Sequence, residues 1–188
     1  MKRIEQVILI VSVLGFSWLG MQAIHELGHM LGALITGGSV IRVILHPLAL
    51  SRTDVRPNPS PLFVVWAGPV IGSILPLLAW LIARTFKCPH LFLFRFFAGF
   101  CLIANGVYIG VGSVNGVADA GDMLRHGSSQ WQLILFALLI IPPGFYLWNG
   151  LGPKFGIGKA NGSVNRPAAL ISLTLFLLII AAELAFCK

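Results

Sequence analysis

Five apolar runs, at about 7–36, 62–83, 91–113, 131–148 and 167–187, constrain this 188-residue chain more than any other feature. Each is near or above the roughly 20 residues a helix needs to cross the hydrocarbon of a bilayer. In lipid every backbone N–H and C=O must find an internal partner, which a helix provides and an open sheet does not. The chain is 57% hydrophobic and only 10% charged, outside the usage of soluble globular domains. The expected fold class is therefore an all-α integral membrane protein with about five transmembrane helices, multi-pass in a bacterial-type cell membrane. No stretch is long enough for a separate soluble unit, so residues 1–188 are read as one membrane-embedded domain whose partner is the lipid bilayer.

Composition narrows the function. The net charge of +7 comes from Lys and Arg scattered through short connections, with no basic stripe or aromatic platform, so nucleic acid is not an expected partner. Cys88, Cys101 and Cys187 lie far apart without a C-x-x-C pair, which points to packing rather than to a disulfide framework or a thiolate metal site. Met1-Lys2-Arg3 before an apolar run has the form of a signal peptide, but no small-x-small cleavage site follows before His25, and a retained first helix is expected. Trp131 and Trp148 bracket the fourth run as interfacial anchors would.

The connection 37–61 departs from the helical pattern. Gly37-Gly38 end the first helix, Val40 to Leu45 are rich in β-branched residues, and Pro47 breaks the run before Ser51-Arg52-Thr53-Asp54. A short hairpin-like loop lying against the membrane is expected, with an exposed strand edge that an extended peptide could join.

Chemistry concentrates in two places. His25-Glu26-Leu27-Gly28-His29 is the H-E-x-x-H pattern. On a helix its histidines lie four residues apart on one face, where both imidazoles reach one Zn²⁺, and Glu26 beside them is a general base for a water held by the metal. Ionisable groups inside a membrane helix cost roughly 2.5–3.5 kcal/mol each on insertion scales, and a bound metal offsets that cost. Catalytic zinc usually takes a third protein ligand. Glu5 and Asp54 sit in terminal or loop positions, and Glu183, near the end of the fifth run, is expected to snorkel to the interface. Asp119 and Asp122 remain, just after the third run and on the same side as the end of the first helix. Asn105 is a candidate for holding substrate backbone or an oxyanion, or for an interhelical hydrogen bond. His46 either approaches the site from the hairpin or lies at the surface.

These residues resemble the site-2 protease family of intramembrane zinc metalloproteases, over roughly residues 7–124; the helices at 131–148 and 167–187 are additional to it. The family carries H-E-x-x-H on one transmembrane helix and an aspartate ligand on a later one. Asp119-Ala120-Gly121-Asp122-Met123-Leu124 is similar to its D-G-G-x-x-L stretch, which assigns the third ligand to Asp119, with Asp122 as the alternative. Ala67-Gly68-Pro69 is similar to its A-G-P motif, and residues 40–56 resemble the hairpin after its first core helix. Gly72 stands where the family usually has asparagine, and Asn115-Gly116 where Asn-Pro often precedes the aspartate. The resemblance implies one Zn²⁺ and hydrolysis of a peptide bond in or near a transmembrane segment of a membrane-protein substrate. A metal transporter and a catalytically silent helix-binding protein are the rival classes.

Orientation divides two rules. Lys2, Arg3, Arg84, Lys87, Arg95, Lys154, Lys159 and Arg166 fall on one face, and Arg42, Arg52, Arg56, Arg125 and Lys188 on the other. Eight against five places the N-terminus in the cytoplasm by the positive-inside tendency, whereas the family arrangement places loop 37–61 there and is given precedence.

Overall fold

The computed structural model describes residues 2–49 and 51–186, so Cys187 and Lys188 lie outside the described residues. In chain order it contains α1 (Lys2–Ile35), β1 (Val40–Ile44), β2 (Arg52–Val55), α2 (Pro61–Thr85), α3 (Leu91–Asn115), α4 (Ala118–Arg125), α5 (Gln130–Trp148), two 3-10 turns (Gly152–Phe155 and Gly158–Ala160) and α6 (Arg166–Phe186). All the α-helices except α4 are long and apolar enough to cross a membrane. Each apolar run of the sequence has become one helix.

The packing order follows from small residues at the helix contacts. α1 lies between α2 and α6, and α3 lies between α2 and α5. A methyl group on Gly28 of α1 would come within 2.4 Å of the Ala67 carbonyl oxygen on α2, so the two backbones approach as closely as only glycine allows. α6 runs alongside α1 in the same direction: Arg166 faces Glu5 at 3.7 Å near their starts, and Ser12 and Ser172 share a 2.7 Å hydrogen bond further along. Trp148 packs inward rather than acting only as an interfacial anchor, stacking on Phe96 and donating its indole N–H to the Phe96 carbonyl at 2.9 Å.

That parallel pairing corrects the expectation for Glu183. It is only 4% exposed, and its Oε2 has no hydrogen-bond partner. Ser172 and Glu183 are eleven residues apart, close to three turns at 3.6 residues per turn, so Glu183 shares the α1-facing side with Ser172 and cannot snorkel.

The hairpin is present and short. Gly38 N–H donates to the Ala33 carbonyl at 2.8 Å, closing α1 with Gly37 at φ 76°. β1 and β2 pair antiparallel, with Val43 opposite Thr53 and Ile44 opposite Arg52, and an irregularity between Val40 and Arg42. The hairpin and α4 occupy one end of the bundle. The other end gathers the start of α1, the α2–α3 connection and the segment before α6; there Gln6 donates to the Phe155 carbonyl at 3.0 Å and Arg166 pairs with Glu5.

At the hairpin end, α4 is held by a core of Val65, Ile109, Ala120, Met123 and Leu133, drawn from α2, α3, α4 and α5. Ala120 and Met123 lie on the buried side of α4.

Candidate metal centre

Helical spacing places Gln22, His25, Glu26 and His29 along one buried stripe of α1. The partner carboxylate arrives from α4. α3 ends at Gly116, whose φ of 63° gives the left-handed cap, and Ala118 continues the reversal at φ 51°. Gly121 then passes so close to the end of α3 that a methyl group there would lie 2.3 Å from the Gly116 carbonyl oxygen. This tight return points Asp119, in the first turn of α4, at the two histidines.

Asp119 Oδ2 lies 2.7 Å from His25 Nε2 and 3.2 Å from His29 Nε2. The other ring nitrogens face outward. His25 Nδ1 lies 2.7 Å from Asn105 Oδ1, and His29 Nδ1 lies 2.9 Å from the Val64 carbonyl oxygen of α2. The Asn105 amide cannot be turned round freely, because its Nδ2 donates to the Cys101 carbonyl at 2.8 Å. Both Nδ1 atoms therefore face oxygens that can only accept, so each carries the ring hydrogen in the neutral imidazole. The two Nε2 lone pairs then converge with a carboxylate oxygen, an arrangement that only protons or a cation between them can satisfy. His25, His29 and Asp119 form a group that can hold a metal ion, their ligand atoms all within 4.8 Å of one another.

Charge and space are both arranged for this. Burial works against an ionised Asp119, but with protons on the two Nε2 atoms the hydrogen bonds from His25 and His29 outweigh it and hold the carboxyl well below the usual carboxylate range. On α2, a methyl group added to Gly68 would fall 2.4 Å from His29 Nε2 and 2.8 Å from His25 Nε2. Gly68 of the Ala67-Gly68-Pro69 run thus forms the wall against which the imidazole pair rests. Gly72, one turn on, leaves room for the Asn105 amide, whose Nδ2 would stand 3.0 Å from a methyl group placed there.

The remaining candidates separate. Asp122 faces away from the histidines and pairs with Arg125, with its side chain 48% exposed. Glu26 is buried next to His25 and accepts a 2.7 Å hydrogen bond from the Thr53 hydroxyl of β2. Asn105 makes an interhelical hydrogen bond, to His25, and both ends of its amide are engaged. His46 serves its own turn, its Nδ1 accepting from the Leu48 N–H at 3.1 Å. Three partners had no signal in the sequence pattern: the Val64 carbonyl, the Thr53 hydroxyl, and Tyr108, whose ring meets His25 edge-on at 5.7 Å.

No protein-family model, curated protein or solved structure matches the chain. The geometry alone therefore carries the functional argument.

Asn105 tests the outer hydrogen bonds directly. Partners that orient a ligating histidine are typically worth ten- to a hundredfold in metal affinity. Asn105→Leu, which keeps the branching at Cγ and loses the acceptor, is expected to weaken metal binding by about that factor, measured by competition with a chromophoric chelator.

Proposed function

We propose that this protein is an intramembrane zinc metalloendopeptidase of the site-2 protease type, cleaving a peptide bond in or near a membrane-spanning segment of another protein. The observation that carries the reading is the convergence of His25 Nε2, His29 Nε2 and Asp119 Oδ2 beside a buried Glu26, on helices apolar enough to cross a membrane. Two imidazoles and one carboxylate, with no thiolate, suit zinc in a site that keeps one position open. Asp119 Oδ2 stands 2.7 Å from His25 Nε2 and 3.2 Å from His29 Nε2, and all three ligand atoms lie within 4.8 Å of one another, close enough to share one cation.

Zinc, when bound, supplies Lewis acidity that polarises a carbonyl and brings the pKa of water at the site to about 7. His25, His29 and Asp119 would hold it, and Asn105 and the Val64 carbonyl fix the imidazole planes. Glu26 takes a proton from the attacking water as its oxygen bonds to the scissile carbon. Glu26 then returns that proton to the amide nitrogen as the C–N bond breaks, leaving a carboxyl and an amine. A helical substrate hides its carbonyls in hydrogen bonds, so it must be unwound before attack. Among the described residues β1 pairs only with β2, and its other edge can receive an extended segment.

The test is a comparison of membrane proteomes from cells making the wild type or Glu26→Gln, which keeps the ligands and loses the base. One or a few membrane proteins should accumulate uncleaved with the variant. Matching proteomes at equal metal content would favour transport or silent binding instead.

A further inference from the structure

Thr53 belongs to neither metal-binding pattern, yet its hydroxyl is the group the structure places on the base. It donates to Glu26 Oε2 at 2.7 Å, and two residues earlier the Ser51 N–H donates to Gln22 Oε1 at 3.2 Å. Gln22 and Glu26 are four residues apart on α1, about 6 Å along the helix axis at 1.5 Å per residue. Ser51 and Thr53 are two residues apart, about 6.7 Å along an extended chain, one reaching α1 through its main-chain N–H and the other through its hydroxyl. The two repeats nearly coincide, so the hairpin is pinned along α1 at two points. Both acceptors are buried on α1.

A carboxylate acting as base needs one oxygen directed at the proton and a fixed partner for the other, because an unpaired charged oxygen in a water-poor site is costly. From the Thr53 contact we infer that Thr53 is a positioning residue: its hydroxyl holds Glu26 Oε2, leaves Oε1 to accept the proton, and ties the hairpin to the base. Val43 of β1 lies opposite Thr53 across the sheet, so a segment aligned on the hairpin is set in register with Glu26. This inference rests on the reading of Glu26 as general base.

The experiment uses the full chain in lipid nanodiscs and two readouts. Amide hydrogen exchange over residues 51–55 is followed in wild type, Thr53→Val, Thr53→Ser and Glu26→Gln. Cleavage is measured, in the zinc-loaded wild type and both Thr53 variants, on a membrane protein that accumulates with Glu26→Gln. Thr53→Val keeps the shape and loses the hydroxyl; it should speed exchange about tenfold and lower kcat ten- to a hundredfold with KM and zinc content unchanged, the usual range for a hydrogen bond to a charged group. Thr53→Ser should restore both, and Glu26→Gln, which keeps an acceptor oxygen, should keep the slow exchange. Equal exchange in wild type and Thr53→Val overturns the contact. A change confined to KM, or failure of serine to restore kcat, overturns the positioning role. If no membrane protein accumulates with Glu26→Gln, the general-base reading fails and the positioning role falls with it, while exchange still decides the contact.

Discussion

Asp119→Ala is expected to lose zinc while Asp122→Ala keeps it. The two aspartates are three residues apart on α4, yet only Asp119 Oδ2 reaches both imidazoles, at 2.7 and 3.2 Å, whereas Asp122 pairs with Arg125 in solvent. Zinc sites in peptides are worth on the order of 10–16 kcal/mol in total, so one of three protein ligands carries about 3–5 kcal/mol, a loss of roughly two to four orders of magnitude in affinity. Elemental analysis of the purified variants, followed by chelator competition, measures it. Near-equal loss from both variants would mean that the carboxylate is supplied differently from the arrangement seen here.

Gly68→Ala should be nearly as damaging although it removes no ligand. The added carbon would sit 2.4 Å from His29 Nε2 and 2.8 Å from His25 Nε2, inside any real contact distance. Either the rings swing away from Asp119 or α2 separates from α1, and the Gly28 contact with the Ala67 carbonyl opposes that separation. Overpacking of this kind typically costs about 1–3 kcal/mol in stability. Displacing two ligands by even a fraction of an ångström is expected to cost zinc affinity at least as much as losing an orienting partner, about a hundredfold. Thermal unfolding and zinc content of the purified variant check both halves. Gly152→Ala, whose added carbon meets nothing closer than 3.7 Å, is the control and should match the wild type.

Much of this arrangement was legible in the sequence because lipid leaves few options. The apolar runs became α1, α2, α3, α5 and α6 with ends shifted by a few residues, and Gly37-Gly38 with the β-branched run became the turn and β1. α4 was not legible. Its eight residues make little more than two turns, too short for the pattern to stand out, and its course depends on the reversal at Gly116 and on Ala120 and Met123 finding the core. The choice between Asp119 and Asp122 depended on that burial, which spacing alone does not settle. Glu183 departs from expectation because a place near the end of the fifth apolar run suggests the interface, while the eleven-residue interval from Ser172 places it against α1. The Val64 carbonyl and the Thr53 hydroxyl were invisible for a different reason. Each meets α1 through the relative placement of two elements, which no single segment encodes.

Metal-dependent cleavage by the purified chain tests the proposed activity most directly. The measurement is proteolysis, in nanodiscs, of a membrane protein that accumulates with Glu26→Gln, taken with the protein as purified, after chelation, and after zinc is returned. The proposed activity requires cleavage that stops with chelation, returns with one equivalent of zinc, and is absent from Glu26→Gln at the same zinc content. Cleavage that persists without metal, or proceeds equally in Glu26→Gln, would contradict it.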